Sequence, residues 1–258
     1  MINYLFAVAL LIMQHAPNVE AAAQKGMLPI FWKPLCGLSE ELDTKPHKAI
    51  SGLQTAANKV DLMQRASIRA RIYMLAKAGT KDESAAALAE LYCSAKLANA
   101  LSHLRTTSIQ AAIDAASAAA YLKGHVDEYL SLWPNTKQTA TNGCLLTDGG
   151  ANPANKAATK IDSTECKLKL TGASSIGVAE THLTSVGFPT LAKAITADAQ
   201  QHTGGNCPLT NGHGANGLGD GGALADGFSV LAGYLEIPNS AAPLNIKSVE
   251  KMEERHGN

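Results

Sequence analysis

Aromatic side chains make up only 5% of the 258 residues, and neither sign of charge prevails, with 22 Lys+Arg against 22 Asp+Glu and a pI near 7.1. So few rings are lean for a base-stacking platform or for a pocket-rich enzyme. Without a net positive field there is nothing to recruit a polyanion, which excludes sequence-independent nucleic-acid binding. No Cys-x-x-Cys pair occurs, so zinc and dithiol redox chemistry lack their usual spacing. No Asn-x-Ser/Thr sequon occurs either, since Asn239-Ser-Ala fails at its third position. What is abundant is apolar surface: 46% of the residues are hydrophobic, enough to offset chain entropy and build a sizeable core. The composition predicts a helical, non-catalytic protein.

The longest early apolar run, Leu5–Met13, has nine residues. That suits the apolar region of a signal peptide and is far below the roughly 20 residues a membrane-spanning helix needs. Small residues at Val19, Ala21, Ala22 and Ala23 place cleavage after Ala21 or Ala23. Export makes Cys36, Cys93, Cys144, Cys166 and Cys207 disulfide candidates: two bridges and one thiol left over, with 15 possible pairings. Cys93 lies within an alanine-rich helical stretch and is expected to be the free, buried one, while the other four lie in loops or at element ends.

From Glu40 to Lys77 apolar and small residues recur at steps of four and three: Leu42, Pro46, Ala49, Leu53, Ala56, Val60, Met63, Ser67, Ala70 and Met74. Such a stripe predicts a coiled-coil seam. Ser39, followed by Glu40 and Glu41, is the expected N-cap, and Pro46 marks a kink or the true start of the helix. Gly79 suits a left-handed residue after the helix, and Thr80 or Asp82 caps the next one. The second helix is expected over Asp82–Leu132, with its seam at Leu97, Leu101, Leu104, Ser108, Ala111, Ala115, Ala118, Leu122, His125, Tyr129 and Leu132. Fourteen of the 36 residues in 85–120 are alanine, which lets two helix axes approach closely. The short connection makes the pair antiparallel, a rod with arms of roughly 57 and 76 Å.

After Pro134 the character changes. Residues 135–164 read as surface loop, Cys166–Thr171 alternates like a short strand, and Phe188–Asp198 has the pattern of a short helix. Residues 204–227 hold nine glycines, and the apolar stretch Phe228–Ile237 is either a buried strand or a helical turn. The expected fold class is mostly α: a long antiparallel two-helix coiled-coil hairpin over 40–132, and an irregular, disulfide-stapled loop lobe with short strands over 133–237.

Several strings then fall into register. Phe31-Trp-Lys-Pro-Leu-Cys36 with Ser39-Glu-Glu-Leu42, Tyr121-Leu-Lys-Gly124 with Asp127-Glu-Tyr-Leu130, Gly143-Cys144, Cys166-Lys-Leu168, and Asn216-Gly-Leu-Gly219 after Cys207 resemble, in order, the class A amino-terminal domain of trypanosome variant surface glycoproteins. The resemblance runs from about Ala22 to beyond Ile237 and favours cleavage after Ala21, with 1–21 as signal peptide and 22–258 as an amino-terminal domain incomplete at its carboxy end. It implies bridges Cys36–Cys166 and Cys144–Cys207 and leaves Cys93 free; the periodicity itself puts Leu53, Val60, Met63, Leu97, Leu101, Leu104 and Leu122 in the hairpin seam. The resemblance further implies a homodimer through the helical rod, antibodies meeting the exposed loops, and attachment to the external face of the plasma membrane only through a lipid anchor absent from this chain. The function implied is a non-catalytic coat glycoprotein that shields the parasite and presents variable epitopes. The rival is a host-protein binder on the same scaffold, of serum-resistance-associated or transferrin-receptor type.

Signs of other chemistry are outweighed. Gly212-His-Gly-Ala-Asn-Gly217 and Gly217-Leu-Gly-Asp-Gly-Gly222 match a dinucleotide fingerprint, yet Cys207-Pro208 precedes them and more glycine follows, where a strand and a helix are needed. His202, Cys207, His213 and Asp220 match no metal-ligand spacing. Cys93 and His103, ten residues apart on one helix, are about 15 Å apart and cannot act as nucleophile and base. His125 falls on the seam, as a core or dimer-contact residue. No catalytic, metal or cofactor-binding residue is assigned, and no cofactor.

Overall fold

The computed structural model describes residues 26–137, 141–150, 152–174, 177, 179–185, 187–191, 207–209, 228–237 and 245–246. The fold is mostly helical, with long bent helices and a few short strands. The helices are α1 (Pro29–Asp43), α2 (Lys45–Ala76), α3 (Glu83–His103) and α4 (Ile109–Leu132), with a π-helical turn, Leu104–Ser108, between the last two. The strands are β1 (Lys160–Ile161), β2 (Thr164–Glu165), β3 (Phe228–Val230), β4 (Leu235–Ile237) and β5 (Asn245–Ile246). The chain packs as two compact units. One draws on Met1–Trp32, Leu132–Lys156 and Leu191–Asn258, the other on Lys33–Ser131 and Ala157–Thr190.

Helix α1 begins ten residues before the expected cap. Pro29 opens it, where a missing N–H costs nothing. Ser39 is therefore no N-cap but an interior residue of the helix, 1% exposed. The break falls at Thr44, whose N–H and hydroxyl both donate to the Glu41 carbonyl. Lys45 and Pro46 then restart the chain as α2, so Pro46 marks a beginning and not a kink.

In the second unit α2 and α3 pair as an antiparallel hairpin. The turn between them relies on Gly79 at φ +75°, a left-handed conformation that costs glycine least. Asp82 stands at the N-cap position of α3 without a side-chain capping bond. Glu83 reaches back instead to accept from the Gly79 N–H at 2.8 Å, and Thr80 accepts from Asp82 N–H at 3.3 Å. The Ser67 and Ser94 hydroxyls meet across the pair at 3.0 Å.

The seam is shallow. Leu53, Val60, Leu97, Leu101 and Leu104 are half-buried, Met63 is 36% exposed, no residue of α2 is fully buried, and Ala86 alone is so in α3. Cys93 is half-buried, not buried, because its helix carries a seam and not a core. Beyond Ser108 the expected stripe is displaced. Ala111, Ala115 and Ala118 are exposed, whereas Ala112 and Ala116 are half-buried and Ala119 is buried; farther on, Leu122 and Tyr129 of the expected stripe are buried and His125 is half-buried. The π turn supplies the reason: one extra residue rotates the positions that follow it by about 100°, and from Ala119 on the buried face widens to take in Leu122, Val126, Tyr129 and Leu130. Leu132, expected on the seam, is 52% exposed.

The same unit contains the β1–β2 hairpin, paired Lys160 to Glu165 and Ile161 to Thr164. Cys166–Thr171, expected as a strand, enters no ladder; Leu168 sits at φ +49° and interrupts the extended run.

In the first unit the core comes from a region whose polar composition suggested surface loop. Cys144, Leu145, Leu146 and Ala154 are completely buried. Met27 N–H donates to the Cys144 carbonyl at 2.7 Å, Leu146 N–H to Met27 at 2.9 Å, and the Trp32 indole N–H to Leu146 at 2.9 Å. Strands β3, β4 and β5 form an antiparallel sheet in that order, which settles 228–237 as a strand hairpin turning through Leu231–Tyr234. Of the expected helix at Phe188–Asp198, Pro189–Leu191 is helical and 192–198 lies outside the described residues, as does 210–227 with both glycine motifs.

Candidate functional site

Two disulfides are formed. Cys36 joins Cys166, 130 residues away in sequence, within the second unit, and Cys144 joins Cys207 within the first. Cys36 projects from the middle of α1, so the first bridge fastens the chain that follows β2 to that helix.

The densest polar chemistry lies on the last turns of α1, where Ser39, Glu41, Asp43 and Thr44 are all 5% exposed or less. Each has its own partner. The Ser39 hydroxyl donates to Asp127 Oδ1 at 2.5 Å and lies 2.9 Å from the Lys123 ammonium, which in turn pairs with Asp127 Oδ2 at 2.9 Å. Lys123 and Asp127 are four residues apart on α4, so both reach the same point of α1. Lys123, 3% exposed, is thus a buried cation with a carboxylate and a hydroxyl to satisfy it. Serine, lysine and aspartate together suggest a nucleophile, but Ser39 is sealed from solvent and already donates its proton to Asp127. The cluster fastens α1 to α4.

Glu41 accepts from three consecutive backbone N–H groups: Thr181 at 2.6 Å, His182 at 2.9 and 3.1 Å, and Leu183 at 2.9 Å. The Thr181 hydroxyl adds a fifth contact at 3.0 Å. Burial pushes this carboxyl up, but the three N–H groups and the hydroxyl outweigh it and hold Glu41 below the ordinary glutamate value. Asp43 accepts from the Thr171 N–H at 2.9 Å and from the Thr171 hydroxyl. The His182 ring meets Thr190 Oγ1 through Nδ1 at 2.9 Å and lies so near Gly37 that a Cβ there would come within 2.2 Å of Nε2. Glu180, on the surface, is shared by Lys45 and Lys48, whose ammonium groups hold its carboxyl down to about 2. Burial raises the phenols of Tyr129 and Tyr234.

Among the described residues, the others singled out from the sequence do not assemble into a reactive site. His103 Nδ1 meets the Ser108 hydroxyl at 3.1 Å, one turn along its own helix. His125 packs edge-on against Tyr121 at 4.6 Å. His202, His213 and Asp220 lie outside the described residues, among which no group of three metal-ligating side chains occurs. No described helix is long and apolar enough to cross a membrane. Sequence reasoning missed the Ser39–Lys123–Asp127 cluster and the Glu41 and Asp43 anchors. The one available signal was the i, i+4 spacing of Lys123 and Asp127, common on any exposed helix.

Comparison with known proteins gives a consistent result. A family profile described as trypanosome variant surface glycoprotein (A-type) matches residues 8–258. Variant surface glycoprotein MITAT 1.2 of Trypanosoma brucei brucei is 35% identical over 255 residues, covering 98% of this chain and 54% of that protein. Variant surface glycoprotein MITAT 1.1 of the same organism is 31% identical over 259 residues, covering 98% and 53%. The solved structure of MITat 1.1 aligns with a TM-score of 0.74 at 30% identity, over 86% of this chain and 62% of that one. The chain thus spans about half the length of the curated relatives it matches.

Proposed function

We propose, from the premise that the chain belongs to the family of A-type trypanosome variant surface glycoproteins, that it is the amino-terminal part of a non-catalytic surface-coat protein. In this reading residues 1–21 direct export and are removed, and 22–258 stand outside the cell, with 40–132 as the helical stem and 133–237 as the loop lobe. The coat shields the membrane, and exposed loops present epitopes that change without loss of fold. Anchorage by lipid and association into a homodimer through the stem belong to the same reading.

The observation that carries it is the family match over residues 8–258. The physics agrees with it. A shallow seam of small residues holds two long helices together while placing few demands on their outer faces. Loop residues clipped by two disulfides tolerate substitution wherever they are exposed. The experiment is surface labelling of live parasites with a membrane-impermeant reagent, together with amino-terminal sequencing of the labelled product. Recovery of a labelled chain beginning at Ala22 supports the proposal. A chain protected from label until the cells are opened, or one that retains Met1, overturns it.

A further inference from the structure

We propose that the last turn of α1 is an acid-labile latch, in which Glu41 holds Thr181–Leu183 at neutral pH and lets them go on protonation, while the Asp43 contact with Thr171 and the Cys36–Cys166 bridge keep the neighbouring chain attached. Both carboxylates are buried, at 2% and 5% exposure, and both spend their oxygens on one stretch of chain. Glu41 takes five contacts of 2.6–3.1 Å, four of them from consecutive backbone N–H groups. Asp43 takes the Thr171 N–H and hydroxyl. An ionised carboxylate only accepts, whereas its protonated form carries a hydrogen that must point at a donor already aimed at the same oxygen. Protonation therefore replaces charge-assisted bonds by a donor–donor conflict at a site water does not reach.

The sign follows from the depressed Glu41 value. The stabilisation is fully present above the pH at which an unfolded glutamate titrates, and is lost as the pH falls through the lower value of the folded protein. The surrounding charged groups are His182 in the held segment, Glu180 with Lys45 and Lys48 of α2, Lys123 and Asp127 of α4 at Ser39, and Lys167 beside Glu40 at 3.6 Å. The α2–α3 pair meets through serine hydroxyls and aliphatic side chains, and the carboxylate–backbone bond from the Gly79 N–H to Glu83 lies exposed in its turn, so acid acts on the buried latch before it acts on the hairpin.

The test is residue-resolved amide exchange on the chain with its disulfides intact, from neutral pH to below the glutamate range, expressed as protection relative to intrinsic rates. Protection at Thr181, His182 and Leu183 should fall by about tenfold or more, the loss expected when charged hydrogen bonds are broken, while protection at Leu97 and Leu101 persists. Glu41→Gln should show the acid pattern already at neutral pH. Simultaneous loss in segment and hairpin overturns the proposal. So does a transition in the histidine range that disappears in His182→Gln, and so does native protection in Glu41→Gln. Should Glu41→Gln fail to fold, the wild-type titration decides the matter.

Discussion

Helices α1 and α2 are separated by one residue, Thr44, yet they are stabilised in different ways. In α1 aromatic and aliphatic side chains such as Trp32, Leu35, Leu38 and Leu42 are 2% exposed or less, and even its serine and two of its three acids are enclosed. In α2, 32 residues long, nothing is fully buried. A helix can thus be held by depth or by length. In α1 a few sites each carry several kcal/mol, whereas in α2 many half-buried contacts each carry a fraction of that. Regular secondary structure does not reveal which regime applies, whereas burial does.

Mutations sharpen that contrast. The largest effect is expected from Lys123→Ala, which strands Asp127 and the Ser39 hydroxyl at the buried junction of α1 and α4; removing one partner of such a pair costs about 3–5 kcal/mol. Denaturant titration measures it, and a loss under 1 kcal/mol would show that water replaces the ammonium. Next, Leu38→Ala in α1 should cost about 2–5 kcal/mol, and Met63→Ala on the seam less than half as much. Equal losses would abolish the distinction between the two helices. Gly37→Ala should cost about 1–3 kcal/mol, because the new methyl displaces the His182 ring from its place beside Thr190. The His182 proton resonances should shift in that variant.

The smallest effect concerns the π turn. Deleting Thr106 converts Leu104–Ser108 towards regular α-helix and keeps Ala112, Ala116 and Ala119 facing inward, so thermal unfolding should move by only a few degrees. Deleting Ala95 in mid-α3 rotates the rest of the seam outward and should lower the midpoint far more. The reverse order would show that the bulge is not what displaces the stripe.

How much of this was legible follows the same division. Steps of four and three located the hairpin, its turn at Gly79 and its seam as far as Leu104, because a shallow seam depends on periodicity and little else. The pattern failed at Leu104–Ser108, where a π turn leaves no mark in residue type. It failed again at α1, where Ser39-Glu-Glu has the form of a cap, although tertiary burial overrides it. The core around Leu145, Leu146 and Ala154 was hidden because Thr, Asn and Gly outnumber the few apolar residues that fill it. The buried anchors on α1 were not readable at all, since their partners come from residues 84 to 142 positions away in sequence.

The Cys36–Cys166 bond closes a covalent ring of chain that contains α2, α3 and the whole of α4. A protease that severs the Ala78–Asp82 turn, or any single peptide bond inside the ring, leaves both pieces tethered. Such a nicked molecule keeps its full mass until a reductant is added, so damage to the stem remains silent in an oxidising milieu.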